Sequence, residues 1–441
     1  MGGRAAHRAR LEEETAVNSA GEDRLARRLG TGDAVVIGLS SMVGAGVFAA
    51  FAPAAAAAGS GLLLGLAVAG LVAWCNATAS AQLAAQYPTS GGTYVYGRER
   101  LGPWPGFLAG WSFVIGKTAS CAAMALTFAA YAAPPGWERP FAALAVLALA
   151  AVNYAGVTRT AALARAVVAV VVVVLLLAVG VGAGTAGGGG QQLVPGDLSW
   201  SGVLQSAGLL FFAFAGYARV ATLGEEVRDP ERAIPRAILA ALGLALVLYA
   251  LVAGMLLLAL GPERLAASTA PVAEAVAGTW LAPLARVAAA LAALGALLAL
   301  LAGIGRTSLA MARNGDLPRW LSAVHPRFRV PHRAEVVLAV VVAVLVLLVD
   351  LREAIGFSSF GVLLYYTVAN AAALTQPPER RRFPRALQVL GVAGCLALVA
   401  TLPVTAVVGG AVVLVAGAAY RAVVQRSRPG QEGRGRRVTR R

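Results

Sequence analysis

Two glycines, Gly44 and Gly46, interrupt the apolar sequence SSMVGAGVF at residues 40–48, in a stretch with no charged side chain between Asp33 and Arg98. A glycine inside a helix costs about 1 kcal/mol relative to alanine, and backbone N–H and C=O groups freed in hydrocarbon cost more. The sequence is therefore either a phosphate-binding turn of a soluble enzyme or a membrane helix whose free backbone groups bind a polar solute.

The soluble-enzyme explanation fails on pattern and on composition. A dinucleotide-binding turn needs a third glycine and an acidic residue about 20 positions further on, but the third glycine is missing and no acidic residue follows for over 50 positions. The chain is 59% hydrophobic and 13% charged, whereas soluble domains carry about 25% charged residues. An ATP-driven pump is excluded because no G-x-x-x-x-G-K-[ST] motif occurs. We therefore predict neither an enzyme nor a metal or cofactor site, and we interpret the cysteines as packing residues: Cys75, Cys121 and Cys395.

Apolar runs of about 20 residues, long enough to cross a ~30 Å hydrocarbon core as helices, recur along the chain. They predict an all-α membrane protein with 12 transmembrane helices. The segments, numbered 1 to 12, are residues 34–58, 62–86, 106–132, 139–156, 161–184, 201–222, 237–260, 280–305, 335–350, 355–375, 385–403 and 404–424.

Arginine placement sets the orientation of these segments. Of the 36 arginines, 31 lie on the side of the N-terminus, and three (Arg139, Arg264 and Arg352) lie on the other side. Because cytoplasmic loops carry the excess of basic residues, we expect both termini in the cytoplasm and a multi-pass protein embedded in the lipids of a bacterial-type plasma membrane. The topology accounts for the formal net charge of +16, so no nucleic-acid partner is expected.

A second break is expected in segment 6. Transporters built as inverted repeats carry a discontinuous helix at corresponding positions of both halves, and segment 6 has Gly216 at mid-span between Ala215 and Tyr217. Alternatively, Gly216 only allows a neighbouring helix to pack closely, because glycine is common at helix contacts in membranes. With one broken helix in each half, the predicted organisation is a polar cytoplasmic tail (1–32), a first repeat (33–184), a second repeat (185–376), two further helices (377–424) and a disordered basic cytoplasmic tail (425–441).

Three stretches resemble the amino acid–polyamine–organocation superfamily of permeases. The sequence MVGAGVF at 42–48 resembles the first-helix signature of that family, residues 211–238 resemble its sixth helix and following loop, and residues 305–331 resemble its eighth-helix exit and loop. The resemblance implies the leucine-transporter-type fold, which is a 5+5 inverted repeat followed by two C-terminal helices. It also implies that the two broken helices hold the head group of an α-amino acid.

The two breaks form the predicted substrate site. Backbone N–H groups at the start of the outer half of segment 1 carry partial positive charge and suit a carboxylate, while free carbonyls near Met42, Val43 and residues 212–215 suit an ammonium group. The aromatic side chains of segment 6 either form a hydrophobic wall of the pocket or pack in the bundle. The predicted site comprises Ser41, Met42, Val43, Gly44, Ala45, Gly46, Phe212, Phe214, Ala215, Gly216 and Tyr217.

Lys117, in segment 3, is the only lysine of the chain. An ionisable group at that depth costs on the order of 3 kcal/mol, and lysine, unlike arginine, can lose its proton when buried. Lys117 is therefore a candidate proton carrier or a fixed charge that replaces a coupling cation; a snorkelling or helix-bridging lysine is the alternative. Some members of the resembled family carry a lysine in helix 5, but segment 5 has none, so that role does not transfer.

The acidic residues narrow the substrate. None of the 21 Asp and Glu residues lies deep in a predicted span, so a cationic substrate side chain would lack a buried partner and a neutral amino acid is favoured. Arg219, Glu225 and Glu226 are candidates for a cytoplasmic gate, or alternatively form a solvated face.

The predicted function is secondary active transport of a neutral amino acid across the plasma membrane by alternating access, with proton coupling left open. The alternatives are an exchanger or uniporter without ion coupling and a transporter-like amino acid receptor. The sequence does not predict an oligomeric state.

Overall fold

The computed structural model of the chain describes residues 29–88, 91–156, 161–185, 193, 198–223 and 226–426. Within these residues the regular secondary structure is helical, apart from one β-bridge between Leu29 and Val227. The all-α fold class is thereby confirmed. Most of the two predicted tails and the gate candidate Glu225 lie outside the described residues. The three cysteines are buried free thiols: Cys75, Cys121 and Cys395.

Segments 1 to 5 contain eight α-helical elements, because segment 1 is divided into three and an extra helix precedes segment 3. The long helix of segment 3 begins with a proline in its first turn, where the fixed φ of proline suits the helix and no N–H is needed. The elements are α1 (Thr31–Met42), α2 (Ala45–Ala49), α3 (Phe51–Ala58), α4 (Leu62–Gln86), α5 (Gly92–Leu101), α6 (Pro103–Ala132), α7 (Glu138–Tyr154) and α8 (Ala161–Thr185).

Segments 6 to 12 contain nine further elements. The helix of segment 7 begins before its predicted start at residue 237, and the helix of segment 8 continues past its predicted end at residue 305. Charged residues such as Arg236 and Arg306 belong to these helices, although they lie outside the apolar runs. The elements are α9 (Trp200–Phe214), α10 (Ala218–Ala221), α11 (Pro230–Ala267), α12 (Pro271–Ala275), α13 (Ala282–Arg313), α14 (His332–Leu348), α15 (Leu351–Leu374), α16 (Arg385–Thr401) and α17 (Val404–Arg426).

Eight helices in the described part of the chain are long and apolar enough to cross a membrane. They belong to segments 1, 2, 3, 5, 7, 8, 10 and 12. The other four predicted segments are occupied by helices of 15 to 17 residues, namely α7, α9, α14 and α16. Since about 20 residues cross the hydrocarbon core, length alone does not assign these four helices as spans, and the count of twelve remains a prediction.

Helix α6 lies in the interior of the bundle, between α13 and α15. It approaches α15 closely at two glycines, where a Cβ atom built on Gly361 would lie 2.7 Å from the Cα of Gly116. One turn further along, the hydroxyl oxygens of Ser120 and Ser358 are 2.6 Å apart. The glycine and serine contacts hold the intervening part of α6, which carries Lys117, against α15.

A buried ionic cluster ties α5, the loop after α13 and the end of α17 together. Asp316 accepts hydrogen bonds from Tyr94 at 2.7 Å and Arg98 at 2.9 Å, and it pairs with Arg421 at 3.3 Å. The Arg421 guanidinium also lies 4.8 Å from the ring centre of Trp104. Burial, followed by the hydrogen bond to Asp316, raises the pKa of Tyr94 to about 12. The tyrosine hydroxyl therefore stays a neutral donor at physiological pH.

We expect Arg421→Met to lower the stability of the protein by roughly 3 kcal/mol, because removing one member of a buried ionic group leaves the other charge uncompensated. The side chain of Arg421 is only 3% exposed, whereas Arg426 lies exposed on the same helix. The measurement is thermal unfolding of the two variants in detergent, with Arg426→Met as the matched control. Equal unfolding temperatures for Arg421→Met and Arg426→Met would contradict a stabilising role of the cluster.

Candidate substrate site

The first helix break lies in segment 1. Helix α1 ends at Met42, and its last backbone bond runs from the N–H of Val43 to the carbonyl of Leu39 at 2.7 Å. Gly44 has φ −100° and ψ −137°, which is not a helical conformation, and α2 begins at Ala45. All of these residues except Leu39 are buried. The chain therefore leaves the helix for two residues in the interior of the bundle.

The second break lies in segment 6. Helix α9 ends at Phe214, residues 215–217 form a turn, and α10 resumes for a single turn. The N–H of Ala215 reaches the carbonyl of Phe212 at 3.4 Å, and the N–H of Arg219 bonds the carbonyl of Gly216 at 3.1 Å. These bonds span three residues instead of four, so the helical ladder is interrupted.

The two breaks are in direct contact, and glycine makes this possible. A Cβ atom built on Gly216 would overlap the carbonyl oxygen of Ser41 and lie 2.6 Å from the backbone nitrogen of Met42. A Cβ atom built on Gly46 would lie 2.6 Å from the Cα of Ala213. Neither glycine has a positive φ. Their role is therefore the close approach of two backbones, which any side chain would prevent.

Tyr249 of α11 joins the two breaks, and the sequence alone does not predict this role. Its hydroxyl lies 2.7 Å from the carbonyl oxygen of Met42 and 3.0 Å from that of Ala213. A hydroxyl has one proton, so it donates to one of these carbonyls at a time. The only sequence signal was a lone tyrosine in an apolar run, which more often indicates a packed core residue.

Lys117 contacts the second break. Its ammonium group donates a hydrogen bond to the carbonyl oxygen of Ala215 at 3.1 Å, and the residue is 6% exposed. No ion pair to Lys117 occurs in the part of the chain that the structure describes. The side chain thus ends on a backbone dipole inside the bundle and does not snorkel to the membrane surface.

A cavity of about 320 Å³ lies against both breaks. Its walls come from the breaks and from α6, α13 and α15, and it extends to α5 and to the C-terminal part of α13. A larger cavity of about 570 Å³, between α6, α13, α14 and α17, is mainly apolar and contains none of the predicted site residues. The predicted residues that line the smaller cavity are Ser41, Met42, Gly44, Ala45, Gly46, Lys117, Phe212, Ala215, Gly216, Arg219 and Glu226.

Three predicted site residues do not line the cavity. Val43 is buried in the first break; the Phe214 ring lies 5.1 Å from that of Tyr249, and the Tyr217 ring stacks on that of Tyr366 at 5.1 Å. Phe212 faces the cavity, and a residue two positions along a helix points about 200° away from it. The aromatic wall predicted for segment 6 is therefore reduced to one ring in this structure.

The charges of the cavity are mostly positive. Lys117, Arg219 and Arg306 line it, and Glu226 is the carboxylate that the described lining contains. Within the described residues no ion pair joins Arg219 to Glu226. The predicted gate is not closed by this pair in the structure, and its third member, Glu225, lies outside the described residues.

Tyr131, near the C-terminal end of α6, forms hydrogen bonds with three other elements. Its hydroxyl donates to the carbonyl of Phe48 at 3.1 Å and accepts from the N–H of Val272 at 3.4 Å. The guanidinium of Arg286 donates to the backbone carbonyl of Tyr131 at 3.3 Å. These bonds connect α6 to α2, to α12 and to α13, and neither Tyr131 nor Phe48 belongs to the cavity lining.

Comparison with known proteins identifies a family. A family model described as amino acid permease matches residues 29–424. A protein of Mycobacterium tuberculosis named as an uncharacterized transporter is 58% identical over 419 residues, covering 93% of this chain and 95% of its own. The branched-chain amino acid permease of Bacillus subtilis is 26% identical, covering 85% and 86%. Cationic amino acid transporter 7 of Arabidopsis thaliana is 27% identical, covering 82% and 67%. Family and relatives are transporters rather than enzymes.

We expect Gly216→Ala to reduce the uptake of amino acids into reconstituted liposomes by about tenfold or more, because the added methyl group forces the two breaks apart. Gly254→Ala is the matched control, since a Cβ atom there meets nothing within 4 Å. Initial rates of uptake are compared at equal amounts of reconstituted protein. Unchanged uptake by Gly216→Ala would show that the contact between the breaks is dispensable.

Proposed function

The chain belongs to the amino acid permease family, and we propose that it is a secondary active transporter that carries a neutral amino acid across the plasma membrane by alternating access. The observation that carries this proposal is the pair of helix breaks, in contact with each other, at one buried cavity. Backbone groups at helix breaks offer partial charges of both signs, which suits a zwitterion.

The head group of the substrate is assigned to the two breaks. The N–H groups in the first turn of α2, beginning at Ala45, provide a partial positive charge for the carboxylate. The carbonyls at the end of α1 and in the turn after α9, including that of Ala215, provide a partial negative charge for the ammonium group. Recognition then depends on the backbone, so it is shared by all α-amino acids, and the side-chain pocket provides selectivity.

The remaining cavity wall favours a neutral side chain. Segment 8 presents small residues, and larger apolar side chains of the wall include Met124, Leu300 and Phe113. A cationic side chain would meet three cations and one carboxylate in the described lining, which is unfavourable. The name of the Bacillus subtilis relative agrees with an apolar substrate, whereas the name of the Arabidopsis thaliana relative does not. The small residues of segment 8 are Gly295, Ala296, Ala299 and Gly303.

We assign twelve transmembrane helices to the chain, arranged as a 5+5 inverted repeat with two additional helices and with both termini in the cytoplasm. This arrangement is supported by the helices that occupy all twelve predicted segments and by the asymmetry of the arginines. In this orientation the cavity opens to the cytoplasm, and the bonds of Tyr131 close the outer side. The structure then corresponds to the inward-facing conformation, and Arg219 and Glu226 lie at the cytoplasmic entrance.

We expect liposomes containing the protein to take up radiolabelled L-leucine, and excess unlabelled neutral amino acids to inhibit this uptake. Excess L-arginine or L-lysine should not inhibit it, because their side chains meet the cations of the cavity. Protein-free liposomes are the control. Binding of leucine without any accumulation would favour the receptor alternative, and inhibition by arginine as strong as by alanine would contradict the neutral substrate class.

Lys117 is assigned to proton coupling. We expect Lys117→Ala to abolish the dependence of leucine uptake on a pH gradient, because the buried cation is removed while the cavity remains. Arg264→Ala, which removes an exposed cation, is the control and should retain that dependence. A pH dependence of Lys117→Ala equal to that of the unmodified protein would exclude Lys117 from coupling.

A further inference from the structure

The carbonyl oxygens at the two breaks receive hydrogen bonds from the protein itself. The Tyr249 hydroxyl lies within hydrogen-bond distance of the carbonyls of Met42 and Ala213, and the Lys117 ammonium group donates to the carbonyl of Ala215. The tyrosine is fully buried behind the cavity wall, whereas the lysine lines the cavity. Lys117 is therefore an ammonium group of the protein, placed on a carbonyl that suits the ammonium group of an amino acid.

We propose that Lys117 occupies the ammonium position of the substrate, so that a proton on Lys117 and a bound amino acid exclude each other and the protein exchanges one for the other. This inference rests on the proposed function. It assigns the direction of coupling, which is antiport of an amino acid against a proton. The amino acid can take the Ala215 carbonyl only when the Lys117 ammonium group leaves it or loses its proton.

Exclusion follows from the geometry and from electrostatics. Two ammonium groups bonded to the same carbonyl oxygen would lie within contact distance of each other. Their repulsion is strong because the surroundings have a low dielectric constant. A carboxylate beside Lys117 would offset this repulsion, but no ion pair to Lys117 occurs within the described residues.

The other titratable groups near the lysine do not replace such a carboxylate. On α6 itself the near group is a thiol, and the packed helices α5 and α15 contribute tyrosines. The one carboxylate of the described lining lines the cavity together with two guanidinium groups at the cytoplasmic entrance, and the breaks contribute the phenol of Tyr217, whose ring stacks on that of Tyr366. These groups are Cys121, Tyr94, Tyr365, Arg219, Arg306 and Glu226.

Mutual exclusion at a single site fixes the direction of coupling. When an amino acid binds from the cytoplasm, the Lys117 ammonium group gives its proton to water in the cavity, and that proton enters the cytoplasm. After the site turns outward and the amino acid leaves, the Lys117 amine takes a proton from the outer water. Each cycle thus moves one amino acid out and one proton in. A symporter would need both to be bound together.

The sign of proton movement during uptake tests this proposal. Liposomes containing the protein, loaded with the pH-sensitive dye pyranine in a weak buffer, receive external L-leucine, and radiolabelled leucine uptake is measured in parallel. Valinomycin with equal potassium on both sides removes the membrane potential. We expect the interior to become alkaline as leucine enters. The sign does not depend on how the protein is inserted, because exchange moves the two solutes oppositely in either orientation.

The contrary outcomes separate this inference from the proposed function. Leucine uptake accompanied by acidification, or by no change in internal pH, would overturn antiport while leaving transport intact. Absence of uptake of leucine and of the other neutral amino acids would overturn the proposed function, and antiport with it.

Two substitutions at the same position test the exclusion itself. Lys117→Met keeps most of the length of the side chain without charge, so we expect leucine to bind about tenfold more tightly at neutral pH, with an affinity that no longer varies with pH. Lys117→Arg retains a permanent cation and should bind leucine more weakly than the unmodified protein at every pH. Binding is measured by calorimetry on protein that elutes as a single folded species. Weaker binding by Lys117→Met would identify Lys117 as a ligand of the substrate and overturn the proposal.

Discussion

Backbone carbonyls released at two helix breaks, deep among apolar side chains, need hydrogen-bond donors, because an unpaired polar group there costs several kcal/mol. The fold meets this requirement with two side chains from neighbouring helices. Tyr249 reaches across from α11 to Met42 and Ala213, and Lys117 reaches from α6 to Ala215. Because a hydroxyl donates one proton at a time, two of these three carbonyls are paired by side chains of the protein at any moment. The donor that faces the cavity is the one that a polar solute can replace.

The close contact of the breaks makes this arrangement a single site rather than two. Gly46 lies against Ala213 and Gly216 lies against Ser41, each without room for a side chain. Carbonyls of both breaks are thereby brought within reach of one tyrosine hydroxyl. On the opposite wall, the glycine contact between α6 and α15 holds Lys117 at hydrogen-bond distance from the second break. Small residues thus set the position of the polar groups, although they contribute no chemistry of their own.

The sequence predicted the helical segments and the location of the breaks, since apolar runs, arginine placement and mid-span glycines are local signals. It did not predict which side chains complete the site. In the sequence, Tyr249 is indistinguishable from a packed core aromatic residue. Lys117 stands out because its burial is costly, but only the fold shows that its partner is the Ala215 carbonyl. Phe214 does not line the cavity because about half a helix turn separates it from the cavity-facing Phe212, and the phase of α9 relative to the cavity is set by tertiary packing.

The choice of lysine at position 117 agrees with a group that is exchanged rather than fixed. Every other basic position of this chain is arginine, and arginine would satisfy a carbonyl as a permanent, forked donor. A lysine ammonium matches the substrate's ammonium in shape, charge and number of donors, and it can lose its charge when it is displaced. A structural helix bridge needs only a donor, which arginine or a neutral amide also supplies. Exchange of a proton for an amino acid needs a group that resembles the substrate's ammonium group when charged and that releases the backbone carbonyl when neutral. Among the basic side chains only lysine does both.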